Sequence, residues 1–232
     1  MRLEEDVDAE WVRRLSGASS QRVRRELGAA ARDQVLFRHL AREHAREGRL
    51  GYGEIAAPLE LYALVRILRP RHVLEVGVSS GVSSAYLLRA LFTNGRGTLH
   101  SVDRPSRPAP RRARRPAAES WSLPRGRSPG WAVPATLRAR WDLRIGDKAV
   151  VLPLLAEELP EVGLFVYDVP HEDRVARGEF RLVDRRMPSG AVAIVDHGTP
   201  GERCGALADW ARDERTEAVG RTGSGLFAIV NR

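Results

Sequence analysis

Thirteen residues from His72 to Ser84, His-Val-Leu-Glu-Val-Gly-Val-Ser-Ser-Gly-Val-Ser-Ser, run from a short apolar stretch through a turn into a helical pattern. Gly77 permits a tight turn and lets the backbone approach a ligand with no Cβ in the way. Ser79 occupies the middle of the turn. Gly81 opens the helix, whose free N–H groups and positive dipole end attract anionic groups. Glu75, ending the apolar stretch, can meet a cationic amine. A methionine-like amino acid carries an ammonium and a carboxylate, and this turn offers a partner for each. The spacing Glu-x-Gly-x-x-x-Gly is not the G-x-G-x-x-G of dinucleotide binders, which argues against a nicotinamide cofactor. Asp103 stands 26 residues beyond Gly77 at the tip of the next apolar stretch. A carboxylate there can accept from both hydroxyls of a ribose. Asp147, in Ile145-Gly146-Asp147, can face an adenine amine or cap the following helix, and both readings stay open.

The elements that must hold these residues follow from periodicity. His72–Val76, Thr98–Val102, Asp142–Ile145, Leu164–Tyr167, Ala191–Val195 and Leu226–Val230 read as strands. Between them Val82–Phe92, Lys148–Glu158, Val175–Met187 and Cys204–Arg215 have helical spacing. Short apolar strands alternating with helices predict an α/β fold, a doubly wound, mostly parallel sheet covered on both faces. Glu217–Arg221, a Gly-Ser-Gly turn and Leu226–Val230 predict a terminal hairpin that adds an antiparallel strand. Residues 1–53 read as a helical extension, and 54–232 as the catalytic-type domain. A second helix opens at Pro58 and stops before Pro70. Residues 104–135, rich in Pro, Arg and Ser, form an irregular insert leaving the C-terminal end of the second strand, the edge where open α/β sheets bind ligands.

Charge is concentrated in that insert. Eight arginines lie between Arg104 and Arg127 against a single acid, Glu119, whereas the whole 232-residue chain carries +8. A basic stretch beside a ligand mouth raises nucleic acid, reached through Arg104–Arg127, as a partner alongside a small molecule. Lys148 is the only lysine among the 38 basic side chains. Cys204 is the one cysteine, which excludes an internal disulfide and a Cys-based zinc site. No apolar run approaches the ~18 residues of a membrane span. Met1–Glu10 is acidic and lacks the apolar core of a secretory signal, so a cytoplasmic enzyme is expected.

Glu75–Gly81, Asp103 and Gly146–Asp147 resemble the cofactor motifs of class I S-adenosylmethionine (SAM)-dependent methyltransferases. The chain is most similar to the small O-methyltransferase-like group called methyltransferase family 24. Leu123-Pro-Arg-Gly-Arg-Ser-Pro-Gly-Trp-Ala-Val-Pro134 resembles its segment before the third strand, and Tyr167-Asp-Val-Pro-His171 its Asp-x-x-His element. The resemblance implies a Rossmann-like seven-stranded sheet with a reversed last strand, and SAM held by Glu75, Gly77, Ser79, Gly81, Asp103 and Asp147. It implies that Asp168, His171 and His197 orient or deprotonate the acceptor. In metal-using relatives, strand-end acids hold a divalent cation. Here the set would be Asp168, Asp196 and His197, taking Mg²⁺ or Mn²⁺, with the imidazole favouring softer ions. Two departures are visible: Ser79 replaces a glycine of the loop, and His197 stands where an acid is common. The expected reaction is methyl transfer to an oxygen of a small hydroxylated substrate. The alternatives are methylation of RNA or protein guided by the arginine insert, or a SAM-fold module that binds nucleic acid without catalysis.

Overall fold

The computed structural model describes residues 7–47, 57–104, 123–124, 126–169, 173–196, 205–213, 215–220 and 226–232. Three helices come first: α1 (Ala9–Ser16), α2 (Ser20–Ala31) and α3 (Gln34–Arg46). Each begins where a short polar side chain caps it: Asp8 accepts from Trp11 N at 2.8 Å, Ser19 from Arg22 N at 3.3 Å and Asp33 from Leu36 N at 3.1 Å. Helix α4 (Pro58–Leu68) opens on its proline, as the sequence predicts.

There follow β1 (His72–Val76), α5 (Val82–Asn94), β2 (Thr98–Asp103), a 3₁₀ turn over Ala135–Arg140, β3 (Trp141–Ile145), α6 (Lys148–Glu158) and β4 (Leu164–Tyr167). The chain ends with α7 (Asp173–Asp184), β5 (Val192–Asp196), α8 (Gly205–Trp210), β6 (Thr216–Gly220) and β7 (Leu226–Asn231). The sheet order is β3-β2-β1-β4-β5-β7-β6, with β7 antiparallel to both of its neighbours and every other pairing parallel. This is the predicted doubly wound architecture with its reversed last strand.

Strand alternation divides the core in two. Val73, Val166, Ile194 and Ala228 face α5 and α4, while Leu74, Phe165, Tyr167 and Val195 face α6, α7 and α8. Helices α1–α3 join the first of these layers. Trp11 is buried and its indole N–H donates to the Val219 carbonyl at 3.0 Å, and Asp33 pairs with Arg89 of α5 at 2.6 Å. Among the described residues, no helix is long and apolar enough to cross a membrane.

The helix after β5 is shorter than its periodicity suggests. The Thr216 hydroxyl donates to the carbonyls of Trp210 at 3.0 Å and Asp213 at 2.9 Å, so the last turn is closed by a side chain rather than by further helix. Its start is also set from a distance, because the Asp173 carboxylate accepts from Gly205 N at 2.9 Å. Cys204 lies outside the described residues.

A polar ladder crosses the α6 side of the sheet away from the ligand edge. His72 Nδ1 lies 3.2 Å from His100 Nε2, and His100 Nδ1 lies 3.1 Å from Asp142 Oδ2. Arg144 bridges Asp142 at 3.0 Å and Glu158 at 2.6 Å. Burial, then the neighbouring His100, holds the His72 pKa below its ordinary 6.5. A lowered folded pKa means that the unfolded chain binds the proton more readily. Stability from this group is present above pH 6.5 and is lost as pH falls through the folded pKa. Urea unfolding at about pH 7 and about pH 5.5 should therefore show an acid-side loss that is smaller in His72→Leu, with titration in that interval expected of histidine.

Candidate active site

The C-terminal ends of β2 and β4, the two neighbours of β1, flank the turn between β1 and α5. Three residues of that turn hold a left-handed backbone: Gly77 (φ 94°), Ser79 (φ 50°) and Gly81 (φ 95°). Glycine is required twice. A Cβ at 77 would lie 2.0 Å from the Asp168 carbonyl oxygen, and one at 81 would lie 2.6 Å from Val133 Cγ2 and 2.9 Å from Gly130 Cα. Backbone hydrogen bonds lock the turn to both neighbouring strands, from Gly77 N to Val102 O at 3.0 Å and from Asp168 N to Val76 O at 2.8 Å.

Glu75 has surroundings that the sequence did not suggest. It is fully buried, and its two oxygens accept hydroxyl hydrogens from Ser83, Ser84 and Ser101, each at 2.7 Å. In this arrangement its carboxylate faces α5 and has no exposed atom to offer an amine. Burial pushes its pKa above the ordinary 4.5 despite those three donors, and the nearby Asp103 charge adds to the rise.

Asp103 reaches the turn itself. Its Oδ2 accepts from both Val78 N and Ser79 N at 2.9 Å, and its Oδ1 accepts from Arg104 N at 2.7 Å. The half-buried carboxylate thus sits at the strand tip and braces the middle of the loop. Asp147 is exposed and accepts from Ala149 N at 2.9 Å, the helix-cap geometry that the sequence left open beside the adenine contact.

Asp168 and Asp196 stand side by side. Tyr167 pairs with Val195 in the parallel register of β4 and β5, so the next positions on the two strands are these two acids. Alternation from Val166 and Ile194 puts both on the α5 side of the sheet, and both are half-buried. His171 and His197 lie outside the described residues. Among the described residues no group of three or more His, Cys, Asp or Glu side chains is arranged to hold a metal ion.

A profile of the methyltransferase-domain family, family 24, matches residues 74–197, more than half of the chain. The chain belongs to the class I SAM-dependent methyltransferases of this family. The matched region runs from within β1 to the residue after β5 and so contains every candidate site residue of the methyltransferase.

Solved structures of the same fold agree. TomG, the O-methyltransferase from Streptomyces achromogenes involved in tomaymycin synthesis and solved with SAM, is 21% identical with a TM-score of 0.54, over 86% of this chain and 89% of that one. The Bacillus cereus O-methyltransferase solved with S-adenosylhomocysteine is 17% identical with a TM-score of 0.55, covering 86% and 92%. A methyltransferase from Geobacter sulfurreducens is 15% identical with a TM-score of 0.56, covering 86% and 89%. The comparison with curated proteins finds no match.

Sequence reasoning missed a layer of this methyltransferase that lies over the loop. Residues 126–134, the returning limb of the basic insert, run across it: Gly130 N donates to Ser79 O at 2.9 Å and Ala132 N to Ser80 O at 3.0 Å. Helix α3 closes on the same place. His44 Nε2 lies 3.1 Å from the Ser80 hydroxyl, and His39 Nε2 lies 3.1 Å from the Ala132 carbonyl. Arg127 pairs with Glu47 at 2.6 Å and stacks 5.2 Å from the Trp131 ring, so this member of the arginine run is committed to a protein contact. The available signal was the pair Gly130-Trp131. A left-handed glycine there leaves room for the Trp141 ring, which a Cβ at 130 would meet at 2.1 Å.

Proposed function

We propose that this methyltransferase transfers the methyl of SAM to an oxygen of a small hydroxylated acceptor at the mouth between the β1–α5 loop and Asp168–Asp196. The observation that carries the reading is the closeness of Gly77 to Asp168: the glycine-bearing loop packs against the backbone carbonyl of the strand-end acid, where an added Cβ would lie 2.0 Å from its oxygen. Gly77 and Gly81 pack directly on the Asp168 carbonyl, Val133 and Gly130, which holds the loop's shape; support for an amino-acid nucleoside comes from the strand-tip Asp103 carboxylate that meets this left-handed loop. When bound, SAM supplies an already activated methyl on a sulfonium, so the chain's task is positioning and proton management.

Backbone groups of Gly77, Ser79 and Gly81 line the cofactor side, Asp103 takes a ribose hydroxyl on the acceptor site that its Oδ1 keeps beside Arg104 N, and Asp147 lies toward the adenine. In this reading Glu75 acts at one remove. Through Ser83 and Ser84 it fixes the first turn of α5. Asp168 orients the acceptor hydroxyl, and His171 or His197 accepts its proton. Two carboxylates and an imidazole make a weaker seat for a hard cation than three acids. Methyl transfer to a panel of small phenols is therefore expected to survive EDTA. Loss of turnover on chelation, with recovery on adding Mg²⁺ or Mn²⁺, would assign Asp168, Asp196 and His197 to a metal instead.

Calorimetry with S-adenosylhomocysteine tests the cofactor assignment. Asp103→Ala should weaken binding by about 1.5–3 kcal/mol, the scale of hydrogen bonds to a charged group. An unchanged dissociation constant would leave Asp103 as a brace for the loop alone. RNA or protein acceptors gain no support from the described residues: Arg127 is committed to Glu47, and Arg107, Arg111, Arg112, Arg114, Arg115 and Arg125 lie outside them.

A further inference from the structure

The one lysine of the chain occupies a buried polar cluster on the far side of the sheet from Glu75. Lys148 Nζ donates to Tyr167 Oη at 2.8 Å and to the two Glu179 oxygens at 2.7 and 2.6 Å, while the Tyr167 hydroxyl donates to Glu179 Oε2. Tyr167 and Glu179 are buried, and the Lys148 side chain is 24% exposed. An ammonium has three donors on one compact centre, and here three oxygens surround it. A guanidinium is planar and larger and cannot reproduce that arrangement. This accounts for a lysine at 148 in a chain whose other 37 basic side chains are arginine.

The three members come from α6, β4 and α7, and two of them adjoin candidate site residues. Lys148 follows Asp147, and the preceding Gly146 donates its N–H to Asp103 O at 2.8 Å. Tyr167 precedes Asp168, whose carbonyl abuts Gly77 and whose N–H bonds Val76 O. The two sides of the mouth are thus tied together twice, once through the β1–α5 loop and once through this cluster.

We propose that Lys148 is a positioning residue: by binding Tyr167 and Glu179, it couples the Gly146–Asp147 side of the site to the Asp168 side. The inference rests on the cofactor reading above and names a device that reading does not require. Because Lys148 is the only lysine, protein grown with lysine carrying ¹³C at Cε gives one lysine Cε signal from the whole chain. Adding S-adenosylhomocysteine to the full chain should move that signal, saturating at the dissociation constant found by calorimetry. Glu179→Gln and Tyr167→Phe should each weaken S-adenosylhomocysteine binding by about fivefold, the scale of coupling carried through a packed network. A purely structural cluster would lower the melting temperature of both variants but leave the affinity of the folded protein and the lysine signal unmoved, and that result overturns the proposal. Tyr167→Phe keeps the ring packing, so it remains informative if Glu179→Gln fails to fold. Absence of any calorimetric binding to the wild type would overturn the cofactor reading, and this inference with it.

Discussion

Gly77→Ala should lose S-adenosylhomocysteine binding by about 100-fold or more, that is, about 3 kcal/mol. Two costs combine. Alanine in a left-handed conformation is strained by about 1–2 kcal/mol, and its methyl would lie 2.0 Å from the Asp168 carbonyl oxygen, a backbone atom with no rotamer to move. The chain can relieve that contact only by separating the loop from the end of β4, which opens the wall on which the proposed site is built. Gly95→Ala is the matched control. It has the same left-handed backbone, φ 68°, with nothing within 4 Å of the added methyl. It should lose some stability and bind S-adenosylhomocysteine like the wild type. Equal affinities for all three proteins, measured by calorimetry, would remove Gly77 from the cofactor site.

The second large effect is expected at Glu75. Glu75→Ala empties a fully buried position and strips the acceptor from the hydroxyls of Ser83, Ser84 and Ser101. Ser101 still receives the Trp141 indole N–H at 2.9 Å, and the two helical serines can turn toward backbone carbonyls. The net loss in urea unfolding should therefore be about 2–4 kcal/mol, combining a cavity with incompletely satisfied hydroxyls. Glu75→Gln keeps the shape and one acceptor oxygen and should cost less than half of that. The two variants also differ in pH dependence from the wild type. With its folded pKa raised above 4.5, native Glu75 holds a proton where the unfolded carboxyl has lost it. Its contribution to stability therefore falls as pH rises through the window above 4.5. Glu75→Gln has no such group, so its stability relative to wild type should improve as pH is raised through that window. A constant difference between the two proteins across pH would show that the carboxyl is not raised by its burial.

The elements of this enzyme were legible because each is written in local periodicity. The strands His72–Val76 and Leu164–Tyr167 and the helix Lys148–Glu158 have the bounds expected from the sequence, and the expected antiparallel pairing of the last two strands is present as β6 with β7. Turn chemistry was legible for the same reason, since a left-handed backbone at Gly77 and Gly81 is a property of one residue. What lies around those residues was not. Glu75 is matched to Ser101 by the register of β1 and β2, and to Ser83 and Ser84 by the way α5 lies on the sheet. Serine has no pattern of its own that marks it as a buried donor. The returning limb of the insert and helix α3 meet the loop through Gly130, Ala132, His39 and His44, contacts between segments as much as 93 residues apart. The same holds for Lys148, whose singularity is plain in the sequence while its partners lie 19 and 31 residues away. Periods of 2 and 3.6 residues decide which face of a strand or helix is apolar. Which polar side chains then meet is decided by register and by how helices are laid on the sheet, and those exist only once the chain has closed on itself.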